Sequence, residues 1–201
     1  MSTKNKCPLC GQVNPDVLEE HLVALSGDYN YWGPPITVHL CVNCHHAIHR
    51  CTWALISEDS EAVLNNYFSF LKSFLPSFLF QAIREELLAA KESVVREYER
   101  VVGYDQNRRS AGKKCALCGC ANPDVMEEHI LSAWANYPQS ISEATIDVCA
   151  NCHRVLVKFY EKKTPPTSEE SKILLQKYLS QFGKLLSPQA RNDLVAFLGL
   201  Y

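Results

Sequence analysis

Apolar residues recur at helical spacing in two parts of the chain, residues 59–100 and 167–198, as in "AVLNNYFSFLKSFL" from Ala62 and "SKILLQKYLSQFGKLL" from Ser171. Pro76 and Pro188 interrupt these patterns, which predicts two helices in each part. A shorter pattern precedes each pair. "ITVHL" (36–40) has the alternation and β-branched content of a strand, and the chain from Val42 onward, "VNCHHAIHR", suits a helix. "GYDQNRRSAGKK" (103–114) has glycine, polar and basic residues with no apolar period, and reads as a linker. The expected class is therefore α+β and mainly helical.

The two parts are copies. "CPLCGQVNPDVLEEHL" (7–22) aligns with "CALCGCANPDVMEEHI" (115–130), and "TVHLCVNCH" (37–45) with "TIDVCANCH" (145–153), always 108 residues apart. Over 7–46 against 115–154 there are 17 identities in 40 positions without a gap. Such self-similarity marks a tandem duplication and predicts domains of 1–106 and 107–201.

Composition narrows the setting. Of 201 residues, 47% are hydrophobic and 21% charged, ordinary values for a folded globular chain. The most apolar run, "YFSFLKSFLPSFLF" (67–80), is shorter than a spanning helix and is broken by Lys72 and Pro76, so no membrane span is expected. "MSTKNKCPLCG" reaches a cysteine pair before any signal-peptide core could form, which points to a reducing, cytoplasmic location. In that setting ten cysteines, eight of them in C-x-x-C pairs, read as metal ligands rather than disulfides. The net charge of −2 gives no overall nucleic-acid footprint. Only local clusters, "KNK" (4–6), "RRSAGKK" (108–114) and "KFYEKK" (158–163), offer one, and they read equally as solvated surface and linker.

A tetrahedral four-thiolate site needs two cysteine pairs aimed at one point, and a C-x-x-C turn aims one pair. Cys7, Cys10, Cys41 and Cys44 form one such set; Cys115, Cys118, Cys149 and Cys152 form the other. Two structural Zn²⁺ ions per chain are expected, each stapling a domain too small for a large core. Cys51 and Cys120 do not repeat across the copies and are expected to be small buried or partly exposed thiols.

Histidines remain once the cysteines are assigned. On a helix from Val42, His45 and His49 lie at i and i+4 and can grip one ion, with His46 pointing elsewhere. Glu20 and His21 follow the first cysteine pair and recur as Glu128 and His129, and His45 recurs as His153. C-x-x-C, an acid-His step, then C-x-x-C-H with a further histidine four residues on resembles the zinc-embracing form of the HNH endonuclease family, over about 7–50 and less completely over 115–154. The resemblance implies two tandem ββα-metal modules, each followed by helices. It implies that His21 is the general base, and that Glu20, His45 and His49 hold a divalent ion (Mg²⁺, Mn²⁺, Ni²⁺ or Zn²⁺) on the scissile phosphate of DNA. One family feature is missing, because "GPPITVHLC" lacks the asparagine usually found shortly before the second cysteine pair.

The expected function is thus metal-dependent hydrolysis of DNA, with a homodimer or protein partner allowed. The alternative is a non-catalytic zinc-stabilised adaptor that binds nucleic acid or protein. The copies should differ, because valine occupies position 157, where the first copy has His49. The first is expected to be active, and the second, with Glu128, His129 and His153 alone, degenerate.

Overall fold

In the computed structural model, Leu18–Ala24 (β1) and Ile36–Cys41 (β2) pair antiparallel, and Val42–Arg50 (α1) begins at once after β2. Glu58–Lys72 (α2) and Ser77–Val102 (α3) follow. The second copy repeats the plan with Met126–Ile130 (β3), Thr145–Cys149 (β4), Ala150–Tyr160 (α4), Glu169–Phe182 (α5) and Pro188–Leu198 (α6). The structure describes residues 5–102, 113–131, 145–160, 165–186 and 188–200, with the side chains of 98–102 and 160 left aside. Most of the linker read at 103–114 lies outside the described residues, as do 161–163 of the "KFYEKK" cluster.

Local chemistry accounts for the boundaries. Each C-x-x-C turn closes on a glycine with positive φ, Gly11 at 81° and Gly119 at 78°, a conformation that a Cβ disfavours. Both turns are shut by a backbone hydrogen bond of 2.9 Å to the first cysteine of the pair, Gly11 N to Cys7 O and Gly119 N to Cys115 O. Ser57 caps α2 by accepting from Ser60 N, with Glu58, Asp59 and Glu61 in the first turn and Lys72 in the last, all matching the helix dipole. Ser168 caps α5 in the same way through Ser171 N. Pro76 stands just before α3, and Pro188 is the first residue of α6, where a missing N–H is harmless.

The described residues divide into two compact units. Unit 1 draws on Met1–Val13, Leu18–Ala111 and Asn122–Val125; unit 2 draws on Asn14–Val17, Gly112–Ala121 and Met126–Tyr201. The core of unit 1 includes Leu40, Ile48, Leu64, Tyr67, Leu71 and Leu79, all at most 2% exposed. The core of unit 2 includes Val148, Leu156, Phe159, Leu175, Tyr178 and Leu194, all at most 1% exposed. In both, the hairpin and the helix after it pack with the next helix, and this places a tyrosine of that helix under the hairpin. Among the described residues, no helix is long and apolar enough to cross a membrane.

Candidate metal centres

The eight paired cysteines gather as two sets of four, one in each unit, with the Sγ atoms of each set within 4.8 Å of one another. Cys10 and Cys41 stand 3.5 Å apart at sulfur, as do Cys118 and Cys149. A tetrahedral zinc with bonds of about 2.3 Å separates its sulfurs by about 3.8 Å, so these sets match the ion's size and donor preference. Three cysteines of each set are buried and one, Cys10 or Cys118, is exposed. The four thiols hydrogen-bond to one another, which lowers Cys7 and Cys10 and raises Cys41 and Cys44; a bound ion would favour the thiolate at all four. Each unit thus carries a set that fits a structural zinc ion. Cys51 is fully buried and donates to Ile48 O at 2.8 Å, an inert packing thiol. Cys120 is half-buried and hydrogen-bonds to Cys149, at the edge of the second set.

A third cluster lies in unit 1. His21 on β1 and His45 and His49 on α1 place one ring nitrogen each within 4.8 Å of the others. Their ring centroids are 4.9 Å apart for His21 and His45, 5.2 Å for His21 and His49, and 4.5 Å for His45 and His49. Nitrogens sharing a tetrahedral ion at about 2.1 Å are about 3.4 Å apart, so the rings need close by no more than about 1.4 Å.

Two further side chains orient these rings. Glu19 accepts a hydrogen bond from His45 Nδ1–H. An ionised carboxylate only accepts, so this contact fixes the proton on Nδ1 and leaves the Nε2 lone pair outward, the arrangement metal-binding histidines commonly have. His21 Nε2 meets the hydroxyl of Tyr67 at 2.9 Å. In the tautomer that donates Nε2–H to the Tyr67 oxygen, Nδ1 keeps its lone pair for an ion. Burial first, then the neighbouring imidazoles of His45 and His49, push His21 down to about 3, so it is neutral at pH 7. Burial likewise lowers His49 and raises the Tyr67 hydroxyl, which stays protonated.

Glu20 is not brought into this cluster. In an antiparallel strand successive side chains face opposite sides, and β1 turns Glu19 and His21 inward while Glu20 is exposed beside the His39 position. The acid that joins the histidines is Glu19, one residue earlier than the sequence reading placed it. Unit 2 repeats the correction: Glu127, not Glu128, pairs with His153 Nδ1. There His129 Nε2 lies 3.2 Å from the Tyr178 hydroxyl, and the His129 and His153 rings are 5.4 Å apart. Val157 stands where unit 1 has His49, so two imidazoles face each other without the third.

Tyr67 and Tyr178 were missed because they fall beyond the gap-free repeat. A signal was present, since "SEDSEAVLNNY" (57–67) and "SEESKILLQKY" (168–178) place two serines and a tyrosine at the same spacing, 111 rather than 108 residues apart. No protein-family model, curated protein or solved structure matches this chain.

Proposed function

We propose that unit 1 is a metal-dependent phosphodiester hydrolase acting on DNA, and that unit 2 is a zinc-stabilised non-catalytic companion. One observation carries the reading: three imidazoles converge in unit 1, two of them already oriented through their other ring nitrogen by Glu19 and Tyr67. A purely structural module stapled by four cysteines needs no such second set of ligands. Three protein ligands and one open position are the donor set of a hydrolytic ion rather than of a structural one. The nucleic-acid substrate rests on the resemblance of the C-x-x-C, E-H and C-x-x-C-H pattern to the HNH endonucleases.

In this reading His45 and His49 hold the ion from one face of α1, and His21 reaches it from β1. Glu19 and Tyr67 keep the lone pairs of His45 and His21 aimed before any ion arrives. When bound, the ion supplies Lewis-acid charge at the phosphate and brings the pKa of water toward neutrality. His21 acts here as a ligand. Its pKa of about 3 suits a neutral donor and lies far below the near-neutral value that favours a general base. Glu20 has no part in holding the ion.

The test is incubation of the zinc-loaded protein with supercoiled plasmid and with a single-stranded RNA, each with Mg²⁺, Mn²⁺, Ni²⁺ or added Zn²⁺. Nicked plasmid that disappears on chelation supports the proposal. Intact plasmid under every ion would refute the nuclease reading, and cleavage of RNA alone would refute the substrate.

A further inference from the structure

We propose that Asp124, which the chain supplies from its second repeat, is a positioning residue for the histidine cluster of unit 1. The side chain belongs to the turn Pro123–Val125, which lies in unit 1, and it is 7% exposed. Its Oδ2 accepts from both Ser57 N and Ser57 Oγ at 2.6 Å. Its Oδ1 lies 3.3 Å from Arg50 Nε, and its backbone carbonyl accepts from Arg50 Nη1 at 3.4 Å. Asn122 completes the turn, accepting from Asp124 N at 2.9 Å and donating to Ser60 Oγ at 3.2 Å.

These partners are the ends of the two helices that build the site. Arg50 is the last residue of α1 and follows His49 directly; Ser57 is the N-cap of α2, which carries Tyr67. One buried carboxylate therefore ties the C-terminal end of the helix bearing two imidazoles to the N-terminal end of the helix that orients the third. The charges agree with both helix dipoles, an anion at the start of α2 and a cation at the end of α1. Movement of either end changes the separation of His45 and His49 from His21, which tolerates little slack if one ion is to be shared.

Unit 2 provides an internal control. Asp16, from the first repeat, accepts from Thr167 N at 3.1 Å, Thr167 Oγ1 at 2.6 Å and Ser168 N at 3.2 Å, and lies 3.7 Å from Lys158 Nζ. Lys158 is the counterpart of Arg50, and Ser168 of Ser57. Each unit thus takes its capping acid from the other repeat's "NPDV", and only in unit 1 does that acid brace three histidines.

The inference rests on the metal reading of the cluster and not on the nuclease reading. The experiment titrates cobalt(II) into the full-length zinc-loaded protein and reads absorption without thiolate charge transfer, alongside amide exchange of 45–50 and 58–67. Asp124→Ala should weaken cobalt binding about tenfold or more, the usual scale for losing a group that orients a ligand, and raise exchange in both segments. Zinc content should stay at two, and Asp124→Glu should recover part of the affinity. Asp16→Ala should leave cobalt affinity within about twofold of wild type. Wild-type affinity in Asp124→Ala, or an equal loss in Asp16→Ala, would overturn the proposal. If Asp124→Ala loses zinc, Ser57→Ala carries the same test by removing one partner only. If wild-type protein takes up no cobalt at the histidines, the metal reading fails; unchanged exchange in Asp124→Ala would then overturn the clamp as well, and raised exchange in both segments would sustain it.

Discussion

Replacing Tyr67 with phenylalanine removes one oxygen from the wall of the histidine cluster and leaves the ring in place. Tyr67 is 1% exposed, and its hydroxyl is 2.9 Å from His21 Nε2, a nitrogen that is itself buried. Loss of the hydroxyl leaves that buried nitrogen without this partner, a penalty of about 1–3 kcal/mol. It also frees the His21 proton to move between the two ring nitrogens, and loss of an orienting partner weakens a metal site about 10- to 100-fold. The corresponding change, Tyr178→Phe, removes a hydrogen bond of 3.2 Å to His129 in unit 2, where only two imidazoles meet. It should destabilise its unit on a similar scale without touching ion binding in unit 1. Urea unfolding of the zinc-loaded protein reads the first quantity, and cobalt(II) titration followed by plasmid nicking reads the second. Tyr67→Phe with unchanged ion affinity would refute the role given to the hydroxyl, as would an equal loss in Tyr178→Phe.

Elemental analysis should find two zinc ions per chain, and Cys41→Ser should lower the count by one, because that cysteine belongs to the unit 1 set alone. Val157→His should create a third imidazole at i+4 from His153 and give unit 2 an added cobalt site, read as one further equivalent bound. Acid should loosen the start of α5. Burial raises the Asp16 carboxyl, but hydrogen bonds from Thr167, Ser168 and Ser171 outweigh it and lower the pKa below its ordinary 3.8. A carboxyl depressed in the fold contributes stability that is fully present above pH 4 and is lost as pH falls through the lower folded value. Amide exchange of 169–175 should therefore rise below pH 4 in the native protein, and Asp16→Asn should show high exchange at pH 7 already.

Some of this arrangement was legible along the chain for direct physical reasons. Two cysteine pairs with a glycine after the first can close only as a turn-built four-sulfur set, and apolar spacing broken by Pro76 and Pro188 marks helix pairs wherever it occurs. The acid was harder to place. Glu19 and Glu20 are chemically equivalent, and which one faces His45 depends on the phase of β1, where a shift of one residue turns the side chain to the opposite face. The tyrosines and the "NPDV" turns lie further out of reach. Tyr67 meets His21 across 46 positions, and Asp124 meets Ser57 across 67, contacts that no local period encodes. The identity of residues 14–17 and 122–125 was visible, but it carries no mark of which helix each turn caps.

The central claim is that His21, His45 and His49 hold the ion that drives cleavage, and His49→Val tests it most directly because it copies into unit 1 the residue unit 2 already has. Nicking of supercoiled plasmid should be measured for wild type, His49→Val and His129→Ala at matched zinc content. We predict that His49→Val keeps two zinc ions and loses nicking by about 100-fold or more, with His129→Ala close to wild type. Full nicking by His49→Val, or loss in His129→Ala instead, would contradict the account.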